Sequence, residues 1–91
     1  MAIADYTEAI RLNPNYALEY GNRGNAYYIR GLLYGQKGEY DKAIADYSEA
    51  IRLDPNNAKA YKHRGISYEE IGEKAKAVAD FAKAKQLGLD P

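Results

Sequence analysis

Small and apolar side chains recur along this chain with the period of an α-helix. In the first fifteen residues Ala2, Tyr6, Ala9 and Ile10 fall at i, i+4, i+7 and i+8 and form one stripe, with Asn13 a turn further on. Arg11 lies in the last turn, where the helix dipole favours a cation, and Pro14 then stops the helix. The segment returns. Residues 2–15 and 43–56 are identical at twelve of fourteen positions, at an offset of 41, with Pro55 as the second stop. A looser copy at 77–84 follows the second at an offset of 34. One amphipathic helix written three times predicts repeated supersecondary units, none able to bury its apolar face alone.

A different motif stands between these copies. Tyr61-x-x-Arg64-Gly65-x-x-Tyr68-x-x-x-Gly72 also has helical spacing, with Tyr61, Gly65, Tyr68 and Gly72 along one side. A glycine inside a helix costs about 1 kcal/mol against alanine, so Gly65 predicts close approach of a neighbouring helix, through the small Ala77. Gly38 and Gly72 read as helix C-terminal glycines in the left-handed conformation.

Together the two motifs resemble the tetratricopeptide repeat, a 34-residue helix–turn–helix unit. Residues 58–91 match it throughout, with Tyr61, Gly65, Tyr68, Ala77, Phe81 and Ala84 at its signature positions. Arg64 stands where Leu is usual, Lys74 where an aromatic is usual and Leu89 where Pro is usual. The resemblance implies an all-α fold: a right-handed superhelical stack of antiparallel helix hairpins, an α-α solenoid of about five helices. It divides a single domain, 1–91, into the second helix of a partial repeat (1–14), an extended repeat (15–57) and a third repeat (58–91).

The middle repeat is too long. Residues 17–57 number 41 rather than 34, and the excess is a tandem copy of the first-helix motif: residues 20–27 satisfy it, and so do residues 27–34, sharing Tyr27. Seven residues are almost two helical turns, so the second copy drifts only about 20° around the axis and keeps the same face. One long helix from about Tyr16 to Lys37 is expected, about 10 Å longer than usual, with Gly31 and Gly35 as possible kinks. Its N-terminal half would then pack on the helix ending at Leu12 and its C-terminal half on the helix starting near Asp41. Neighbours offset in this way would leave Tyr27, Tyr28, Leu32 and Leu33 partly uncovered for self-association, whereas neighbours that shift along the helix would cover them. The ends suggest the same. The chain opens on a second helix and closes at Gly88-Leu89-Asp90-Pro91 without a polar capping helix, as expected of a piece of a longer array or of a helix-swapped oligomer.

Composition narrows the function classes. Thirteen basic residues balance thirteen acidic ones, so no global field steers nucleic acid or an anionic membrane. Lys59, Lys62, His63 and Arg64 cluster, but Glu69, Glu70 and Glu73 follow within two turns, and no nucleic-acid partner is expected. No apolar run approaches the roughly 20 residues that span a bilayer, and the N-terminus lacks a signal-peptide pattern; a cytoplasmic location is the default. No cysteine is present, which excludes disulfides and thiolate metal sites. His63, the only histidine, reads as a surface or groove residue, and no metal or cofactor is expected. Carboxylates such as Asp5, Glu8, Asp46, Glu49 and Asp80 recur at repeat positions, which marks most of them as solvated face, and Asp46 and Glu49 can sit near Arg52 as ordinary helix surface pairs. No constellation supports catalysis. Ten tyrosines suit half-buried positions between thin helix layers.

The expected function is a protein–protein interaction scaffold, with a self-assembling structural module as the alternative. In the resembling family partner peptides lie across the first helices, on the concave surface. Carried over by position, that implies Leu18, Gly21, Asn22, Asn25 and Tyr28, then Lys59, Lys62, His63, Ile66 and Glu69. Lys59 and Lys62 suit an acidic side chain or a C-terminal carboxylate.

Overall fold

A computed structural model describes residues 3–12 and 20–88, which contain five α-helices and no strand: α1 (Ile3–Leu12), α2 (Tyr20–Gln36), α3 (Tyr40–Leu53), α4 (Ala58–Glu70) and α5 (Lys74–Gln86). The helix ends follow from local chemistry. Gly38 and Gly72 adopt φ of 79° and 83°, the left-handed region that costs a side chain dearly. Around Gly38, Glu39 N–H donates to Tyr34 C=O at 2.9 Å and Gly38 N–H to Gly35 C=O at 3.0 Å, which is the Schellman pattern; Glu73, Tyr68, Gly72 and Glu69 repeat it. Pro55 bars any continuation of α3, and Asn57 Oδ1 caps α4 by accepting from Ala60 N–H at 3.1 Å.

The helices pack in chain order: α1 on α2, α2 along α3, α3 on α4, and α4 along α5. The buried residues are mostly small. Ala43, Ala50, Ala60, Ala77 and Ala84 are almost wholly enclosed, and among the described residues Tyr47 is the one large apolar side chain so deeply buried, at 2% exposure. Alanines bring the helix backbones close, and the aromatic rings fill the gaps over glycines. A Cβ at Gly31 would stand 2.6 Å from Cε1 of Tyr47, and one at Gly65 would stand 2.8 Å from Cε1 of Phe81. The compensation expected for Gly65 is therefore real, but its source is the Phe81 ring and not Ala77.

α2 runs unbroken through Gly31 and Gly35, so neither glycine breaks the helix. Glycines seven apart do keep one face. A Cβ at Gly24 would stand 3.6 Å from Leu53 Cβ and one at Gly31 would meet Tyr47, both on α3. The expected two-turn offset between neighbours is absent at the turn that carries Arg30. Arg30 donates from Nη1 to Thr7 Oγ1 of α1 at 2.9 Å, and from Nε and Nη2 to the Asp46 carboxylate of α3 at 2.7 Å each. Arg64 does the same one repeat later, from Nη1 to Ser48 at 3.1 Å and from Nε and Nη2 to Asp80 at 2.7 Å each. One turn of α2 meets both neighbours, as one turn of α4 does. The second motif copy is the one in ordinary repeat register: Arg30 follows Thr7 by 23 residues where Arg64 follows Ser48 by 16, so the seven surplus residues precede Arg30 in the chain.

These pairs correct the reading of the carboxylates. Asp46 and Asp80 are not solvated face; they are 4% and 5% exposed and hold Arg30 and Arg64 across each hairpin. Each guanidinium also lies between two tyrosine rings, Arg30 over Tyr27 and Tyr34, Arg64 over Tyr61 and Tyr68, at 5.4–5.7 Å from the ring centroids. The Glu49–Arg52 pair is the exposed surface pair expected of an i,i+3 spacing.

Candidate functional site

α2 and α4, the first helices of consecutive hairpins, lie side by side but touch only sparsely, since each is held chiefly by the helix behind it. Between them is a cleft of about 290 Å³. Leu32 and Gly35 of α2 form one wall, Ile66 and Glu70 of α4 the other, with Tyr47 and His63 between. The rings form a cluster: His63 meets Tyr28 edge-on at 5.8 Å between centroids and Tyr47 at 6.2 Å, and Tyr28 and Tyr47 are 6.0 Å apart. Ile66, 37% exposed, presents its apolar surface to solvent at the rim. A second cleft, of about 470 Å³, opens at the N-terminal ends of the same two helices, where Asn25 and Lys59 meet Asp54, Asn57 and Leu87.

Burial and, after it, the charges of Lys62 and Lys59 hold the His63 imidazole below its ordinary pKa. Burial likewise raises the hydroxyls of Tyr28 and Tyr47, so the three rings are neutral near pH 7. A lowered histidine pKa means that the unfolded chain binds this proton more readily than the folded one. The His63 contribution to stability is thus complete above the unfolded value of about 6.5 and declines as the pH falls below it toward the lowered folded value. The urea midpoint is expected to fall between pH 7 and pH 5.5, and a His63→Phe variant should lose most of that fall. An unchanged slope in the variant would mean that another group titrates there.

The structure places the sequence-predicted residues in three groups. His63 and Ile66 line the cleft, Tyr28 does not line it but meets the His63 ring, and Lys62 and Glu69 stand on α4 with them, half-buried and exposed respectively. Asn25 and Lys59 meet at the second cleft. Leu18 and the side chain of Asn22 lie outside the described residues. Of the residues proposed for self-association, Tyr27, Tyr28, Leu32 and Leu33 are all half-buried; Tyr27 stacks on Arg30 and Leu32 lines the cleft. Arg64 leaves the basic cluster for the interior. Sequence reasoning missed Gly35, Tyr47 and Glu70 as cleft residues and gave Leu32 another role. The signal was present. Gly38 and Gly72, which end α2 and α4 identically, are 34 residues apart, and aligning the helices from those ends sets Leu32 beside Ile66 and Tyr28 beside Lys62.

Among the described residues no helix is long and apolar enough to cross a membrane. No curated protein matches the chain in sequence. Among solved structures, the chain is similar to MamA, at 38% identity and a TM-score of 0.81 over 93% of this chain and 46% of that one. A second MamA structure gives 35% identity and a TM-score of 0.81 over 99% and 50%, and a MamA mutant gives 26% and 0.79 over 93% and 57%. The chain spans about half the length of these neighbours. A family model described as TPR repeat matches residues 31–72. That segment begins at the glycine beneath Tyr47 and ends at the glycine closing α4, so with the helix-hairpin stack around it this is a tetratricopeptide-repeat chain.

Proposed function

We propose that the chain is a non-catalytic interaction module that seats a segment of a partner protein in the cleft between α2 and α4. The observation that carries the reading is the cleft itself. It is a groove of about 290 Å³ with apolar walls at Leu32 and Ile66 and a neutral aromatic floor at Tyr47 and His63. Desolvated rings supply contact area at little entropic cost, and Ile66 is already at the surface where an incoming side chain can cover it. Selection of peptides from a random display library on the immobilised chain tests this. Selected peptides should shift the amide resonances of Leu32, His63 and Ile66. Ile66→Glu should weaken them at least tenfold, since covering an isoleucine contributes about 1.5–3 kcal/mol. Binders that instead perturb α5 and ignore the substitution would overturn the assignment.

Self-association is a second reading, favoured by one observation. Val78 on α5 is 67% exposed, whereas Ile44, its counterpart 34 residues earlier on α3, is half covered. A second copy stacking on α5 would bury it. Sedimentation velocity across a concentration series should show a dimer that Val78→Glu abolishes; a monomer at every concentration would sink this reading.

A further inference from the structure

The charges of α4 oppose its own dipole. A helix is stabilised by acidic residues in its first turn and basic ones in its last. α1 and α3 follow that rule, with Asp5 and Arg11, then Asp41 and Arg52. α4 has neither an acidic residue in its first turn nor a basic one in its last. It carries Lys59 and Lys62 at the positive N-terminal end and Glu69 and Glu70 toward the negative C-terminal end, so side chains and dipole add. Among the described residues none of these four has an ion-pair partner within 4.0 Å, while Glu8, Glu39, Glu49, Asp46 and Asp80 all do. The positive end acts on its surroundings: Lys62 and Lys59 contribute to the lowered pKa of His63 at the floor of the cleft.

From this polarity we infer that an extended protein segment lies along α4 from the second cleft, where Lys59 stands, to the groove that Glu70 lines, with an apolar side chain between an acidic group and a basic group, the acidic end at Lys59 and Lys62 and the basic end at Glu69 and Glu70. The inference rests on the groove reading above and adds its charge order. Geometry sets the spacing. Lys59 and Glu70 are eleven residues apart on α4, about 16 Å at 1.5 Å per residue. An extended chain covers that in about five residues at roughly 3.3 Å each. Lys62 and Glu69 need about three. The apolar side chain then falls between them, beside Ile66 and Leu32.

Three acetylated, amidated peptides test the order by fluorescence anisotropy at low salt. Each has the core Gly-Leu-Tyr-Gly, flanked by two aspartates and two lysines, by four aspartates, or by four lysines. The mixed peptide should bind about tenfold more tightly than either single-sign peptide. Lys59→Glu with Lys62→Glu should move the preference to the all-lysine peptide, and Glu69→Lys with Glu70→Lys to the all-aspartate one, with helicity by circular dichroism unchanged. If all three bind within about twofold while shifting Leu32, His63 and Ile66, charge order is not read and this inference fails while the groove stands. If none of them shifts those resonances, the groove assignment fails with it.

Discussion

Gly31→Ala is expected to destabilise the chain by about 1–2 kcal/mol, although alanine is the better helix former. Two effects oppose each other. Alanine inside a helix is worth about 0.5–1 kcal/mol over glycine. Against that, the new Cβ would lie 2.6 Å from Cε1 and 2.8 Å from Cδ1 of Tyr47. That ring is 2% exposed and meets both Tyr28 and His63, so moving it away from α2 disturbs both contacts. Overpacking a tight core costs about 1–3 kcal/mol, and the clash wins. Gly35→Ala is the control. Its Cβ would find nothing nearer than Tyr47 Oη at 3.8 Å, so only the propensity gain remains and the variant should be stabilised by about 0.5 kcal/mol. Urea midpoints of the two variants should move in opposite directions. Movement the same way would mean that the glycine is not there to admit the ring.

The larger loss is expected from Asp80→Ala, at about 3 kcal/mol. The Arg64 side chain is 19% exposed and that of Asp80 6%, so removing the carboxylate strands a largely enclosed guanidinium and forfeits two 2.7 Å charge-assisted bonds. A domain of this size has only about 5–10 kcal/mol in all, so the variant gives up a large share. The asymmetry is the diagnostic part. Arg64→Leu with Asp80→Leu removes both charges, restores the family's usual Leu at 64, and should cost less than Asp80→Ala alone. Glu49→Ala, at the exposed pair with Arg52, should cost less than about 1 kcal/mol. Chemical denaturation of the three variants side by side checks the order. If the double replacement were the most damaging, the pair would be contributing packing that leucine does not supply.

The buried pairs also explain why the carboxylates were misread from sequence. Asp46 and Glu49 stand three apart on one helix, and both lie within reach of arginine in the linear pattern. Only Asp46 faces α2, where Arg30 waits sixteen residues upstream, and Arg64 with Asp80 has the same separation. That spacing is a tertiary one, set by the length of a hairpin, and no helical periodicity announces it. A search for Arg and Asp sixteen apart in both repeats would have found it.

What the sequence determined alone is local. The apolar stripes, the prolines after α1 and α3, the C-terminal glycines of α2 and α4 and the recurrence of each helix act within a few residues, through backbone sterics and side-chain direction. They specified an all-helical repeat chain and the C-terminal ends of α1 to α4. What the tertiary structure decided is which copy of a duplicated motif is used. Seven residues turn a helix almost back on itself, so the copies at 20–27 and 27–34 present the same face and are degenerate to any local rule. The choice comes from contacts between residues far apart in the chain: the ring of Tyr47 over Gly31, and Arg30 bonded at once to Thr7 and Asp46. The groove depends on that choice, because its walls come from two helices whose alignment only packing sets.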